Sequence, residues 1–292
     1  MSALPTERQK SGEVVVERLS KAYGDEFNSR LAVANCSLTV QPGKFTVVLG
    51  PSGCGKTTLV NLIAGYERPT EGRITVDGAE VVAPNSDRLM VFQETALFPW
   101  MNVMQNVMYG PSVQRKVPAA QIEAQAQALL ARVGLLEFRD KYPNQLSGGM
   151  QRRAELARAL INSPSVLLMD EPFRGLDAMT RQLMQEYLLQ LFEISTQTIL
   201  FVTSEIDEAI LLADTLIVLS RSPASTKAVL SVSLPRPRDI EIFRTARYAE
   251  LKADILNKLY EEMVGAFSSA SPAHAEMAEA YELRRSGAST SS

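Results

Sequence analysis

The sequence predicts an α/β fold, a parallel sheet covered by helices, on two observations. Apolar strand-like runs alternate with helical patterns from residue 149 to 219, the order that builds a parallel sheet with helices on its faces. Ahead of them, Gly50-Pro51-Ser52-Gly53-Cys54-Gly55-Lys56-Thr57-Thr58 directly follows the apolar run Phe45-Thr46-Val47-Val48-Leu49. This is a G-x-x-x-x-G-K-[ST] turn set between a strand and a helix. Chance alone gives the pattern in about 1% of chains this long at ordinary residue frequencies, so its surroundings carry the decision.

Taken in order, residues 1–11 are polar and are expected to be a flexible N-terminus. Val14-Val15-Val16, Cys36-Ser37-Leu38-Thr39-Val40, Phe45 to Leu49 and Arg73-Ile74-Thr75-Val76 are expected strands, the last bounded by Gly72 and Asp77-Gly78. Residues 119–133 are Ala- and Gln-rich with Gly134 as a stop, which predicts a helix. A helical pattern runs from residue 146 through Leu160, then Val166-Leu167-Leu168-Met169 and Ile199-Leu200-Phe201-Val202-Thr203 follow as buried strands. Leu234-Pro235-Arg236-Pro237-Arg238 cannot lie inside a regular element and marks a boundary. Beyond it Ile240, Phe243, Tyr248, Leu251, Ile255, Leu259 and Met263 fall near helical spacing, predicting a C-terminal helical extension over 236–267. Residues 268–292 are Ser- and Ala-rich and expected to be disordered.

Composition narrows the function. Charged residues make up 22% of the 292 and the formal net charge is −3, which gives no nucleic-acid footprint. No apolar run approaches the roughly 18 residues of a membrane span, and residues 209–219 are broken by Asp214. The first ten residues lack the apolar core of a secretory signal. Two cysteines, Cys36 and Cys54, make no disulfide framework and fit a reducing cytoplasm. A soluble intracellular protein is expected, with any membrane role supplied by a partner.

The chemistry of the turn is that of a phosphate loop. Its glycines let successive backbone N–H groups point inward around phosphate oxygens. A helix starting near Lys56 adds its positive end, Lys56 reaches the β- and γ-phosphates, and Thr57 can offer its hydroxyl to Mg²⁺. Cys54 sits where any small residue serves. Its thiol is expected to react with a small maleimide in the nucleotide-free loop and to be shielded by Mg-ATP.

Further motifs follow in fixed order: Val91-Phe92-Gln93-Glu94, Leu146-Ser147-Gly148-Gly149-Met150, Asp170-Glu171-Pro172 after the strand run, Gly175-Leu176-Asp177, and Thr203-Ser204. Together they resemble the nucleotide-binding subunit of ATP-binding-cassette transporters across residues 12–235. The resemblance implies a P-loop NTPase (RecA-like) core with an antiparallel β subdomain and a helical signature subdomain. It implies ATP and Mg²⁺ as cofactors, with the loop from Gly50 through Pro51, Ser52, Gly53, Cys54, Gly55, Lys56 and Thr57 to Thr58 around the phosphates.

The resemblance also assigns roles. Tyr23 matches the aromatic that stacks on adenine, the alternative being a core or edge tyrosine. Thr57, Gln93 and Asp170 would hold Mg²⁺, and Glu171 would orient and polarise the attacking water as general base. Paired acids after four apolar residues are costly to bury without a cation. Ser147, Gly148 and Gly149 begin a helix whose free N–H groups suit an anion. In the family they cap the γ-phosphate of the opposite subunit, and Asp177 lies in the loop that contacts that subunit. Residues 93–100, with Phe98 and Trp100, would receive a helix of the transmembrane permease, the alternative being a core anchor at Trp100.

One position departs from the pattern. The family places histidine where this chain has Ser204, and the only histidine is His274, in the tail. Serine is shorter and neutral and does not titrate near pH 7. With Glu171 in place, the reading is a hydrolysis site with a weakened or rewired switch.

The implied function is ATP hydrolysis powering an importer: a homodimer of this subunit at the cytoplasmic face of the inner membrane, a separate permease, and an external solute-binding protein. Met150 and residues 92–100 and 234–239 resemble the nitrate/sulfonate/taurine branch, and residues 146–160 resemble members tied to urea- or guanidine-type compounds. The alternative is a regulatory nucleotide-binding subunit with little hydrolysis. A soluble cassette ATPase of DNA repair or translation is disfavoured, because Lys56 and Ser147 stand only 91 positions apart.

Overall fold

The computed structural model of the chain describes residues 11–25, 28–193 and 197–270. The N-terminal stretch 1–10 and the tail 271–292 lie outside the described residues. Two sheets form the frame. Among the described residues the first has four antiparallel strands in the order β2 (Arg30–Val40), β1 (Val14–Tyr23), β4 (Glu71–Val76), β5 (Ala79–Glu80). The second has six strands, in the order β10 (Thr226–Ser231), β9 (Thr215–Leu219), β3 (Phe45–Leu49), β8 (Thr198–Thr203), β7 (Val166–Asp170), β6 (Arg88–Val91). All its pairings are parallel except that of the edge strand β10. A bridge between Val33 and Ala224 joins the two sheets.

The parallel strands follow from their composition. β3, β7 and β8 are buried along their whole length, as near-continuous apolar runs must be when helices cover both faces. Phe45, Val47 and Leu49 face one core with Leu156, Leu188, Ile210 and Ile255. Val48 faces the other, with Leu59 and Ile63 of α1 (Lys56–Ala64) and Val14 and Val16 of β1. A third cluster joins α2 (Val103–Gln114), α3 (Ala119–Arg132) and α4 (Gly148–Leu160) through Val107, Leu130 and Ala154. The expected antiparallel and helical subdomains are both present.

Some elements differ from the sequence expectation. β1 and β2 run longer because each pairs with the other along its length, through register shifts near Leu19. β6 stops at Val91, so Gln93 lies two residues past the strand end. Helix α2 has no counterpart in the sequence reading, because Gly110 and Pro111 lie within it. A capping box starts it: Gln105 N–H donates to the Asn102 side chain at 2.8 Å, and Asn102 N–H to the Gln105 side chain at 3.0 Å.

The C-terminal stripe is not one helix. Ile240–Arg244 is a 3₁₀ turn, Thr245 is extended, and α7 (Ala246–Ala270) starts afresh, its first turn capped by Tyr248 N–H on the Thr245 hydroxyl at 3.2 Å. The break turns Ile242 inward and leaves Ile240 exposed. Ile242, Tyr248, Leu251 and Ile255 share the core of β3 and β8, across α5 (Ala178–Glu193) and α6 (Ile206–Leu212).

The loop between β10 and this extension is pinned by two arginines. Arg236 bonds Asp214 at 2.8 Å and lies over the Phe192 ring. Arg238 is buried and donates to the carbonyls of Leu211, Ala213, Val232 and Leu234 at 2.5–3.3 Å. Removing one guanidinium would strand four carbonyls inside the protein. Arg238→Ala is expected to cost about 3 kcal/mol of stability, measured by urea denaturation; a loss under about 1 kcal/mol would show that water replaces the pin.

Candidate functional site

The register of the parallel sheet builds the site. Leu49 pairs with Thr203 and Asp170 with Val202, so the chain leaves β3, β7 and β8 at one edge, where open α/β sheets bind ligands. The loop 50–55 enters α1 through Gly55 at φ 117°, and a Cβ there would stand 2.5 Å from the Ala32 carbonyl. Only glycine fits that approach.

Lys56 is buried, and its ammonium donates to the Gly50 and Pro51 carbonyls at 2.9 Å each and pairs with Glu171 Oε1 at 3.2 Å. A cavity of about 440 Å³ opens above, lined by Ser52, Gly53, Gly55, Lys56, Thr57 and Thr58 with Tyr23, Arg30, Gln93, Glu171 and Arg174. A larger groove, about 780 Å³, lies on the antiparallel sheet among Glu17, Arg18, Asn35 and Arg73. It gathers no phosphate-type cradle, so size alone is a poor guide here.

Asp170 is 3% exposed, and its Oδ1 has no hydrogen-bond partner among the described residues. Burial raises its pKa, against a hydrogen bond with Thr57 that lowers it. An orphaned carboxylate oxygen beside the hydroxyl of Thr57, which lines the cavity together with Gln93, is a hard oxygen donor set that fits Mg²⁺. Glu171 has φ 41°, a strained backbone for a non-glycine residue, held by its N–H on the Val202 carbonyl at 2.9 Å. Its second oxygen pairs with Arg174 at 3.0 Å.

Ser204 follows β8 and lines a smaller cavity, about 220 Å³, with Ser52, Glu171, Arg174, Arg181 and Glu208. The structure thus brings Lys56, Asp170, Glu171 and Ser204 to one strand edge. Tyr23 ends β1 at the rim, 40% exposed, its phenol donating to Glu67 at 2.5 Å, with the Lys21 ammonium 5.0 Å from its ring centroid.

Ser147, Gly148, Gly149 and Asp177 line neither cavity. Ser147 caps α4 by accepting the Met150 N–H at 3.3 Å, and Asp177 accepts the Thr180 N–H at 3.0 Å; hydrogen bonds from the Thr180 side chain first and its backbone second hold the Asp177 carboxyl below the usual range. Gly149 lets α4 approach α5: a Cβ there would be 2.9 Å from the Thr180 methyl. Trp100 is 69% exposed and stacks on Phe98 at 5.5 Å, so it is a surface residue and not a core anchor. Beside it Phe98, Tyr109 and Val113 line an apolar groove of about 470 Å³.

Two features escaped the sequence reading. Arg152 and Glu155 form a buried pair at 2.6 Å on α4. Arg152 donates to the carbonyls of Phe92 and Gln93 at 2.7 and 2.5 Å, and Glu155 accepts the Ala96 N–H at 3.1 Å. The loop carrying Gln93 is therefore held by the helix that Ser147 begins. The visible signal was an Arg and a Glu three apart among apolar residues. The second feature is the contact of Arg174 with Glu171.

Cys54 corrects an expectation. Its side chain is 2% exposed, packed in the core with Val48 and Leu219, and burial pushes the thiol pKa up. The turn of the loop aims the backbone at the cavity and the thiol beneath it.

Two tests follow from this geometry. A small maleimide should leave Cys54 unmodified with and without Mg-ATP in a Cys36→Ser background, by mass spectrometry; labelling in either state would refute the burial. Arg152→Ala should destabilise by about 3 kcal/mol, because it strands Glu155. Adding Glu155→Ala should recover at least about 1 kcal/mol of coupling in a double-mutant cycle, and strict additivity would show the pair does not act as a unit.

Known proteins match this chain along most of its length. The family model described as ABC transporter matches residues 33–174. A taurine import ATP-binding protein of Jannaschia sp. is 42% identical over 241 residues, 80% of this chain and 90% of that protein. A nitrate import ATP-binding protein of Synechococcus elongatus is 41% identical over 79% of this chain and 85% of its own length. A bicarbonate transport ATP-binding protein of Synechocystis sp. is 38% identical over 89% and 93%. Among solved structures, a dimeric post-hydrolysis ATP-binding cassette bound to ADP and Pi superposes with a TM-score of 0.66 at 28% identity, covering 76% of this chain and all of that one.

Proposed function

The chain belongs to the ABC transporter ATP-binding family, and from that premise we propose that it binds and hydrolyses ATP to power the import of a small polar solute. The observation that carries this reading is the strand register that brings Lys56, Asp170, Glu171 and Ser204 to one edge of the sheet, with Glu171 on both adjoining cavities. No helix among the described residues is long and apolar enough to cross a membrane. In this reading separate permease subunits form the path and this chain works against their cytoplasmic side.

In this reading the backbone N–H groups of loop 50–55 and the Lys56 ammonium hold the β- and γ-phosphates. Lys56 gives up its bond to Glu171 as the phosphates arrive. Tyr23, exposed at the rim and tethered through its phenol, offers its ring to adenine. Thr57, Gln93 and Asp170 would hold Mg²⁺, which would supply neutralisation of phosphate charge. Glu171 accepts the proton of a water aligned on the γ-phosphorus as the bond to the bridging oxygen breaks.

The N-terminus of α4 lines neither of the chain's own cavities, which suits a second copy supplying Ser147, Gly148, Gly149 and Asp177 to the facing nucleotide. The homodimer would close over two ATP molecules and pull on the permease through residues 93–100 and the groove beside Phe98. Relatives named for taurine, nitrate and bicarbonate point to a small, mostly anionic solute, and urea- or guanidine-like compounds complete the range. A solute-binding protein outside the membrane would deliver it.

Lys56→Ala is expected to lose tight ATP binding by fluorescence titration while circular dichroism stays that of the wild type. Glu171→Gln should bind ATP at least as tightly, because Lys56 is released from its ion pair. It should also stop hydrolysing and accumulate an ATP-dependent dimer in light scattering. Wild-type affinity in the first variant would overturn the nucleotide assignment, and wild-type turnover in the second would remove Glu171 as the base.

A further inference from the structure

We propose that Arg174 is a positioning residue for ATP hydrolysis, holding the Glu171 carboxylate once Lys56 has turned to the phosphates. The inference rests on the nucleotide reading above and adds a group to which no role has been given. Glu171 has two oxygens and two cations: Lys56 lies 3.2 Å from Oε1, and Arg174 lies 3.0 Å from Oε2. The two cations differ in what else they do. Lys56 is buried at the root of the phosphate loop and lines the cavity that would take the phosphates. When it does so, the carboxylate keeps a single cationic partner.

Position supports the assignment. Arg174, Ser52 and Glu171 line both cavities, the larger one with Lys56 and the smaller one with Ser204. On the smaller side Ser204 brings no charge. The other arginine there, Arg181, donates to the Leu176 carbonyl at 3.2 Å. Arg174 is thus the cation bonded to the base on the side where Ser204 brings no charge. A guanidinium suits the task because it remains charged throughout the accessible pH range, and its planar fork can hold a carboxylate oxygen and a phosphoryl oxygen together.

The Arg174 side chain is 57% exposed. An ion pair so open to water adds little to folding stability. Its loss should therefore appear in turnover and not in the melting temperature. The backbone of the same residue closes the turn after β7, with its N–H on the Glu171 carbonyl at 3.1 Å. Side-chain replacement leaves that bond in place.

The test is steady-state phosphate release by the full-length chain with Mg-ATP. Arg174→Ala should lower kcat by about tenfold, equivalent to about 1.4 kcal/mol of transition-state stabilisation, with the KM for ATP within about twofold. Arg174→Lys should recover about threefold of that loss, because charge returns without the fork. Thermal midpoints of both should match the wild type. An unchanged kcat in Arg174→Ala, a rise in KM alone, or a lysine variant no faster than alanine would each overturn the proposal. Lys56→Ala in parallel separates the two readings. Retained ATP affinity there would fail the nucleotide site itself, whereas lost affinity there with wild-type kcat in Arg174→Ala would fail only the role of Arg174.

Discussion

The ammonium of Lys56 joins two strands that are far apart in sequence. It holds the end of β3 through the carbonyls of Gly50 and Pro51, and the end of β7 through Glu171. A buried ion pair of this kind roughly breaks even in stability, since desolvating both charges offsets their attraction. Its value lies in what replaces it. Arriving phosphate oxygens offer the same ammonium a more highly charged partner, so the contact that closes the empty loop can be exchanged at small net cost for the contact that binds nucleotide. The strained Glu171 backbone, the orphaned Asp170 oxygen and the arginine on the far side of the carboxylate are all arranged around this exchange.

The helical layer is tied to the same centre by a different device. The segment from Phe92 to Ala96 hangs between β6 and α2 with little regular structure of its own. Arg152 and Glu155 hold its backbone from α4, and Asn106 holds residues 98–102 from α2 with bonds to Phe98, Met101 and Asn102. Gln93, on the cavity, and Trp100, on the surface, are therefore anchored at opposite ends of one strap. Displacing α4 carries the Gln93 backbone with it, a mechanical link that does not depend on the loop being stiff.

The legible parts of the chain were those where local chemistry and tertiary position agree. The runs at 45–49, 166–169 and 199–203 read as strands buried on both faces, and the glycine pattern after the first, with the motifs that follow it, reads as a turn suited to an anion. Their adjacency at one edge follows from the parallel register. Local signals fell short where a tertiary partner decides. Gly110 and Pro111 concealed α2, whose capping box and packing carry it past them. The apolar stripe near residue 240 gave no hint that Thr245 breaks it, because periodicity records which residues face inward and not whether the backbone is continuous. Cys54 was misjudged because sequence places the residue in the loop but leaves the direction of its side chain open. Arg152 with Glu155, and Arg174 with Glu171, show in the sequence only as residues three apart, since what each pair grips is brought in by the fold.

The placement of β3 has a consequence for how the molecule is made. This strand is the middle of its sheet, yet its neighbours are β8 and β9: Val47 lies beside Phe201 on one side and Leu216 on the other. Both partners are more than 150 residues downstream. A chain emerging from the ribosome therefore carries its glycine turn for most of synthesis with no strand on either flank. Such long-range parallel pairing forms slowly and only after the loop between its partners has closed. The motif that announces the protein earliest in its sequence is thus among the last parts to acquire a shape.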